Sequence, residues 1–261
     1  MEAAIIKSQV LSESGDKAGS PNVQVEIKHL RKSFGNNIVL IDFNLTLAKG
    51  ENLVVLGKSG SGKSVLIKCI VGLMEPDDGT LFVLGKNISE LSQKSLNDLR
   101  KKVGFLFQSA ALYDSMTVRE NLEFPLREQR SLSIEELDSL VKEALENVGL
   151  SDAIDVMPSE LSGGMRKRLG LARTLILKPE IMLYDEPTTG LDPVTSKEIS
   201  NLIMQVQKKY NTASIIITHD ITCAKITADR ILMLVDGACA AEGTFNELQN
   251  SEDPMVRSFF E

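Results

Sequence analysis

The chain contains 261 residues, of which 43% are hydrophobic; this is enough to bury a full-sized core and excludes a disordered or fibrous chain. Its 29 basic and 36 acidic residues give a net charge of -7, so the chain as a whole offers no cationic surface to a nucleic acid, and we expect no such partner. Three cysteines without paired spacing, Cys69, Cys223 and Cys239, indicate a reducing cytosol, and no apolar run reaches the ~18 residues of a membrane span.

The first half of the chain predicts a tail, antiparallel strands, and then a buried strand. Residues 1–22 are rich in Ser, Gly and charge and lack periodicity, which predicts a flexible tail. From Val23, alternating and β-branched runs are broken at Gly35 and at Gly50, a pattern typical of antiparallel strands joined by turns. The continuous apolar run in ENLVVLG then predicts a strand buried on both faces, followed by a glycine-rich loop and the apolar helix SVLIKCIVGLM.

The second half alternates helices with buried strands. Ser133 and Glu136 form a predicted capping box for an amphipathic helix that ends at Gly149. Two apolar runs, around 181–184 and 215–218, predict buried strands on either side of a helical stretch, and ILMLVDG predicts a last strand and turn. Strands that alternate with helices predict an α/β protein with a parallel, doubly wound sheet.

A phosphate-binding loop lies between the first buried strand and its helix. The pattern G-x-x-x-x-G-K-[ST] is matched by Gly57, Lys58, Ser59, Gly60, Ser61, Gly62, Lys63 and Ser64. Glycines allow successive N–H groups to surround a phosphate, and the helix N-terminus adds partial positive charge. Lys63 is expected to reach the β- and γ-phosphates, and the Ser64 hydroxyl to bind Mg²⁺.

Two acids end the buried strand IMLYDE. Hydrolysis of a nucleoside triphosphate needs a carboxylate for Mg²⁺ and a group that activates water. We expect Asp185 to hold the metal shell and Glu186 to face the γ-phosphate as general base.

Four further motifs decide the family. They are Leu161-Ser162-Gly163-Gly164-Met165, Gln108 after the strand-like VGFLF, Asp192 in TGLDP, and His219 in IIITHD. Together with the phosphate loop and the Asp185-Glu186 pair, in this order, they make residues 23–243 resemble the ATPase subunit of ABC transporters.

The resemblance implies a fold and its divisions. The fold is that of a P-loop NTPase, with a RecA-like parallel-sheet core, an antiparallel β subdomain and an inserted α-helical subdomain at about 109–170. The ABC ATPase domain then covers 23–250, between the flexible tail at 1–22 and a short C-terminal tail at 251–261.

The resemblance also implies roles for the motif residues. Two copies dock head to tail around two Mg-ATP, so that Ser162, Gly163 and Gly164 of one copy complete the γ-phosphate site of the other. Gln108 senses Mg²⁺ and the attacking water, and His219 contacts the γ-phosphate. Asp192 bridges the two sites, and Phe34 stacks on adenine.

Three features carry a second interpretation. Asp192 before Pro193 is also suited to cap a helix, which is compatible with the dimer role. The cations Arg166, Lys167 and Arg168 are disfavoured in the first turns of a helix; they either pair or are solvated, or add positive potential near phosphate or a partner. An apolar cluster suits either a permease socket or the core; it comprises Ala110, Ala111, Leu112, Tyr113 and Met116.

Among ABC ATPases, SGGMRKRLGLARTL and the terminal DPMVRSFF look most similar to the Mce/Mla-type phospholipid transport systems. That resemblance implies an MlaE-like permease, an Mce-domain lipid-binding protein as an indirect partner, and a location at the cytoplasmic face of the inner membrane. The alternatives are the ATPase of an ABC importer for another cargo and a soluble ABC protein without a permease.

Overall fold

The computed structural model describes residues 22–127 and 132–260, and contains two β-sheets. The first is antiparallel, with the strand order β2-β1-β4-β5. Its strands are β1 (Val23–Phe34), β2 (Asn37–Ala48), β4 (Asp78–Val83) and β5 (Lys86–Asn87). The antiparallel strands predicted from Val23 onward are therefore present, and β1 and β2 meet at a turn around Gly35.

The second sheet has six strands in the order β10-β9-β3-β8-β7-β6. They are β3 (Asn52–Leu56), β6 (Val103–Leu106), β7 (Ile181–Asp185), β8 (Ala213–Thr218), β9 (Arg230–Val235) and β10 (Ala238–Gly243). All neighbours pair in parallel except β10, which runs antiparallel to β9. The carboxyl ends of β3, β6, β7 and β8 therefore lie along one edge.

Helices follow most strands of this sheet. In the described ranges the α-helices are α1 (Lys63–Ile70), α2 (Gln93–Arg100), α3 (Val118–Glu123), α4 (Ile134–Val148), α5 (Gly163–Leu175), α6 (Pro193–Tyr210), α7 (Ile221–Thr227), α8 (Phe245–Gln249) and α9 (Pro254–Arg257). No helix in these ranges is long and apolar enough to cross a bilayer.

The six-stranded sheet is buried on both faces. Side chains alternate along a strand, so Leu53 and Val55 of β3 join a core with the antiparallel sheet and α1, whereas Val54 and Leu56 join a core with the helices α4–α7. All five residues of β3 are buried. This explains the continuous apolar run in the sequence, because neither face of the strand meets water.

The predicted divisions of the chain stay a prediction, and the elements within each can be named. Of the predicted tail at 1–22, all residues except Asn22 lie outside the described residues. The helical segment at about 109–170 contains α3 and α4 and the start of α5, which continues to Leu175 and packs on β6. The last segment, 251–261, includes α9, whose Val256 is buried in the core.

One tight contact joins the two sheets. The N–H of Ile41 in β2 donates to the carbonyl of Gly237 in the β9–β10 turn, at 2.7 Å. A Cβ on Gly237, which has φ of +80°, would lie 2.6 Å from the carbonyl oxygen of Val39. Only glycine allows this approach of two backbones.

The predicted capping box at the start of α4 is present in the structure. Ser133 Oγ accepts from Glu136 N at 3.2 Å, Glu136 Oε2 accepts from Ser133 N at 2.8 Å, and Gly149 ends the helix with φ of 67°. Ser133→Ala is expected to lower the free energy of unfolding by about 1 kcal/mol, the usual cost of losing a cap.

Ser139→Ala is the matched control, since Ser139 is exposed within the same helix and alanine has the higher helix propensity. Urea unfolding followed by circular dichroism should show opposite signs for the two variants. Equal effects would contradict the capping role.

Candidate functional site: a phosphate loop beside two strand-end carboxylates

The phosphate loop connects β3 to α1, in the strand–loop–helix context that its sequence motif requires. Gly60 and Gly62 have φ of 84° and 103°, values that side-chain-bearing residues rarely adopt. A Cβ on Gly62 would lie 2.8 Å from the carbonyl oxygen of Val39. The loop therefore packs against β2, and the free N–H groups of the first turn of α1 begin at its end.

Lys63 is buried at the centre of this loop, with 5% of its surface exposed. Its Nζ donates to the carbonyls of Gly57 at 2.7 Å and Lys58 at 2.9 Å. It also lies 3.4 Å from Oε1 of Glu186. A buried cation is stable only when such partners offset its lost hydration, and its place suits it to bind phosphate oxygens.

Ser64 and Asp185 bring two oxygen ligands together. The Ser64 hydroxyl lies 3.4 Å from Oδ1 of Asp185. Partial burial raises the pKa of Asp185 above its ordinary value, and the Glu186 charge adds to this, while the Ser64 hydrogen bond and nearby lysines act in the opposite direction. A half-buried carboxylate of this kind gains from a cation beside it.

Glu186 is held by three side chains. Its Oε2 accepts from the Thr189 hydroxyl at 3.2 Å and lies 2.8 Å from Nδ1 of His219, and Lys63 approaches the other oxygen. The Glu186 backbone has φ of 49°, a strained conformation for a residue with a side chain. Its N–H donates to Ile217 of β8 at 3.0 Å, which helps to hold this conformation.

A cavity of about 580 Å³ brings together residues of four predicted motifs. Its walls include Gly62, Lys63, Ser64, Gln108, Glu186 and His219. The structure thus brings together the phosphate loop, Gln108 beyond the end of β6, Glu186 after β7 and His219 after β8.

The remaining predicted residues lie outside this cavity. Ser162 caps α5 by accepting from Met165 N at 3.2 Å, and Gly163 and Gly164 open that helix. Asp192 caps α6, as predicted, by accepting from Val194 and Thr195. The hydrogen bonds from Thr195 hold the pKa of Asp192 below its ordinary value. Ser162, Gly163 and Asp192 are exposed.

Phe34 also lies apart, at the end of β1, with 49% of its surface exposed. The residues before it are fixed by Asp77, which accepts from Lys32 Nζ at 2.7 Å and from Ser33 N at 2.6 Å. These hydrogen bonds lower the pKa of Asp77 to about 2. Asp77 has no motif around it that would have revealed this contact from the sequence.

The three cations after Met165 separate into different environments. Arg168 donates to the carbonyl of Val148 at 2.9 Å and to Glu198 at 2.9 Å, so it pairs within the chain as one of the two interpretations predicts. Arg166 is exposed. Lys167 is buried, with 6% of its surface exposed.

The apolar cluster at Ala110–Met116 divides between core and surface. Ala110 is buried in the core, 2% exposed, whereas Tyr113 is 41% exposed. The ring of Tyr113 packs on that of Phe124 at 4.6 Å between centroids, and the guanidinium of Arg173 lies 5.4 Å from the Tyr113 ring. Ala110 therefore belongs to the core, as one of the two interpretations predicts, and for the exposed Tyr113 the permease socket stays a prediction.

The geometry defines a P-loop nucleotide hydrolase: a glycine-rich phosphate loop, a strand-end acid beside its serine, and a second acid beside its lysine. The model of the ABC transporter family matches residues 40–189. The chain belongs to the ABC transporter family and is an ABC-type ATPase, as the sequence motifs predict.

Two curated relatives are similar over most of this chain. The probable ribonucleotide transport ATP-binding protein mkl of Mycobacterium leprae is 41% identical over 94% of this chain and 71% of its own length. The intermembrane phospholipid transport system ATP-binding protein MlaF of Haemophilus influenzae is 37% identical over 90% of this chain and 89% of its own length. The predicted resemblance to Mla-type ATPases is confirmed.

A solved structure confirms the fold class. The ATP-binding cassette MJ0796, a dimer in a post-hydrolysis state bound to ADP and Pi, superimposes with a TM-score of 0.77 and 32% sequence identity. The match covers 85% of this chain and 98% of that chain. The P-loop fold with a parallel core sheet is therefore shared with a cassette that holds the products of ATP hydrolysis.

The raised pKa of Asp185 predicts a gain in stability when its charge is removed. The folded protein carries this charge at a cost above the raised pKa, and the cost disappears as the pH falls towards the ordinary value of 3.8. Without nucleotide and with EDTA, Asp185→Asn is expected to unfold at a higher urea concentration than the unmutated protein at neutral pH, and the difference should shrink near pH ~4.

Asp185→Asn should also lose ATP hydrolysis, because an amide oxygen is a poorer ligand for Mg²⁺ than a carboxylate oxygen. Asp98→Asn, at an exposed position of α2, serves as the control and should change neither property. A less stable Asp185→Asn protein at neutral pH would contradict the electrostatic explanation.

Proposed function

We propose that the chain is the ATPase subunit of a phospholipid transporter, in which two copies close around two Mg-ATP and drive a separate permease. The observation that carries the proposal is the joining of Lys63, Glu186 and His219 in one cavity, while Ser162 and Asp192 remain exposed outside it. The cavity of one copy therefore contains only part of the nucleotide site that the motifs imply.

Dimerisation follows from this incomplete site. Ser162, Gly163 and Gly164 of one copy are proposed to complete the γ-phosphate site beside Lys63 of the other. The N-terminal end of α5 suits an anion because its first N–H groups and the helix dipole favour negative charge. Contacts that form only when nucleotide is present convert binding energy into closure. Asp192 is proposed to bridge the two sites.

Mg²⁺ fits the residues that are present. The Ser64 hydroxyl and the Asp185 carboxylate are hard oxygen ligands close to each other, and Gln108 lines the same cavity. No group of three or more His, Cys, Asp or Glu in the described residues is arranged to hold a metal ion. Such a group is not required for Mg²⁺, which usually binds through one or two protein carboxylates together with substrate phosphates. The ion would neutralise charge on those phosphates.

Hydrolysis is proposed to proceed by in-line attack of water on the γ-phosphate, which breaks the bond from the γ-phosphorus to the oxygen bridging it to the β-phosphate and releases ADP and phosphate. Glu186 accepts the proton of the attacking water at its carboxylate, which Thr189 and His219 orient. Lys63 stabilises the negative charge of the β- and γ-phosphates. Gln108 positions the water, His219 contacts the γ-phosphate, and Phe34 stacks on the adenine.

The permease is proposed to dock on the exposed part of the apolar cluster. Tyr113 and Phe124 are both partly exposed and pack on each other, and Arg127 lies 5.3 Å from the Phe124 ring. These side chains follow Gln108 in the chain. A movement of the permease would thereby be transmitted to the catalytic cavity.

The similarity to MlaF supports phospholipid as the cargo. It supports an MlaE-like integral membrane permease, an Mce-domain protein as an indirect partner, and the cytoplasmic face of the inner membrane as the location. The name of mkl, a probable ribonucleotide transport ATP-binding protein, favours the alternative that the chain is the ATPase of an ABC importer for another cargo. The ATP site cannot separate these, because the cargo does not touch it.

Removing the proposed base separates ATP binding from hydrolysis. Glu186→Gln is expected to reduce hydrolysis by about 10²- to 10⁴-fold, the usual contribution of a general base. ATP should still bind, so light scattering should show a stable dimer with ATP and a monomer without it.

Glu180→Gln is the matched control. Glu180 precedes the other end of β7 and forms a surface ion pair with Lys102 at 2.7 Å, so its loss should leave turnover unchanged. Turnover of Glu186→Gln near that of the unmutated protein would overturn the role of Glu186.

Purification of the tagged protein from its native host, in mild detergent, tests the partners and the cargo. Mass spectrometry is expected to identify an MlaE-like permease with an Mce-domain protein. Tyr113→Asp, which places a charge in the exposed ring pair, should recover less permease, whereas Lys142→Gln on the exposed face of α4 should recover the same amount.

A different permease would retain the ATPase mechanism and overturn phospholipid as the cargo. Ribosomal or DNA-bound partners without any membrane protein would overturn the transporter proposal itself.

A further inference from the structure

Lys167 has an unusual environment for a lysine in the second turn of an exposed helix end. Among the described residues, Lys63 and Lys167 are the two buried lysines. Lys63 belongs to the phosphate loop, but Lys167 lies on α5, outside the sheet edge that carries the site. Burial of a charged side chain needs specific partners to offset its lost hydration.

The partners of Lys167 are two backbone carbonyls. Its Nζ donates to the carbonyl of Gln108 at 2.5 Å and to that of Glu186 at 3.3 Å. These are the two residues proposed to position and to activate the attacking water. They belong to separate loops, one after β6 and the other after β7, and one ammonium group connects both.

The electrostatic surroundings keep this ammonium in place. Burial lowers the pKa of Lys167, whereas the nearby carboxylates of Asp185 and Glu186 raise it. The same acids that the site uses therefore offset part of the cost of burying this charge. An apolar side chain of equal length would fill the space and leave both carbonyls without this donor.

The hydrogen bond from Lys167 also helps to hold the backbone conformation of Glu186. Its φ of 49° is strained, and such conformations persist only where the surroundings hold them. The Glu186 N–H is bonded to Ile217, and its carbonyl is bonded to Lys167. The two hydrogen bonds hold the peptide groups on both sides of the Glu186 Cα.

We propose that Lys167 is a positioning residue for ATP hydrolysis, which fixes the Gln108 and Glu186 loops relative to each other and to α5. The proposal rests on the catalytic roles proposed above for those two residues. The N-terminus of α5 carries Ser162 and Gly164, which are proposed to contact the nucleotide of the second copy. One helix thus connects the catalytic loops of one site to the phosphate of the other.

The environment of Lys167 differs from those of its neighbours. Arg168 makes an ion pair with Glu198 and a bond to Val148, which ties α5 to α6 and to the end of α4. Arg166 is exposed. Of the three cations, Lys167 is the one bonded to the catalytic loops. Its replacement should therefore reduce the rate of ATP hydrolysis while the protein still folds.

Steady-state hydrolysis of ATP by Lys167→Met tests the proposal. Methionine is flexible and unbranched, so it can occupy the buried space without donating a hydrogen bond. We expect kcat to fall by about 10- to 100-fold, as when groups that orient catalytic ligands are removed, and KM for ATP to change by less than about twofold. Lys167→Arg, which retains a charged donor, should recover part of the lost kcat.

Two controls separate positioning from folding. Lys142→Gln, which removes an exposed lysine that pairs with Asp138 at 2.7 Å, should keep the turnover of the unmutated protein. Lys167→Met combined with Glu186→Gln should still form the ATP-dependent dimer. If Lys167→Met does not fold, Lys167→Gln replaces it; its shorter side chain still carries a donor and should give an intermediate kcat.

The proposal is overturned if kcat of Lys167→Met, or of Lys167→Gln in its place, stays within about threefold of the unmutated protein, a change too small for a lost orienting group. It is also overturned if ATP-dependent dimerisation is lost or if KM rises in proportion to the loss of kcat/KM. Failure of the proposed role of Glu186 would look different, because Glu186→Gln alone would then hydrolyse ATP at the rate of the unmutated protein.

Discussion

The parallel pairing of the central strands determines where all the chemistry lies. Gly57 follows the last residue of β3, Glu186 that of β7 and His219 that of β8, and Gln108 is the second residue after β6. Parallel strands with a shared register end at one edge, about 4.8 Å apart, so residues distant in sequence become neighbours. The contact between Glu186 and His219 at 2.8 Å joins the ends of two adjacent strands. Lys63 reaches the same place from the first turn of α1.

The charges at this edge balance one another inside a partly buried space. Lys63 lies beside Glu186, and Lys167 lies within the field of both Asp185 and Glu186. A buried charge without partners would cost several kcal/mol, so no member can be removed without consequences for the others. The strained backbone of Glu186 is held at this edge by the hydrogen bond of its N–H to Ile217 and by that of Lys167 to its carbonyl. Nucleotide phosphates and their metal ion would enter an arrangement whose charges are already in position.

Motifs of fixed spacing allowed much of the fold and the candidate site to be predicted from the sequence. The phosphate loop, the buried strands, the α4 capping box and the Asp192 cap each depend on local rules that act over a few residues. Contacts between distant segments were not predictable. Nothing in the sequence indicates that Asp77 fixes the chain before Phe34. The sequence marks Lys167 only as one cation among three, because its burial depends on how α5 packs over two loops.

The approach of Val39 to two glycines has a consequence for which ligands the protein accepts. The Val39 carbonyl lies against Gly62 of the phosphate loop and Gly237 of the β9–β10 turn, and Ile41 is bonded to the same turn. The β1–β2 hairpin, which carries Phe34, is therefore fixed to the loop that carries Lys63. With a base on Phe34 and phosphates on the loop, as proposed, the fold sets the distance between the base site and the phosphate site. A ligand must therefore match this distance, because the protein does not adjust it to the ligand.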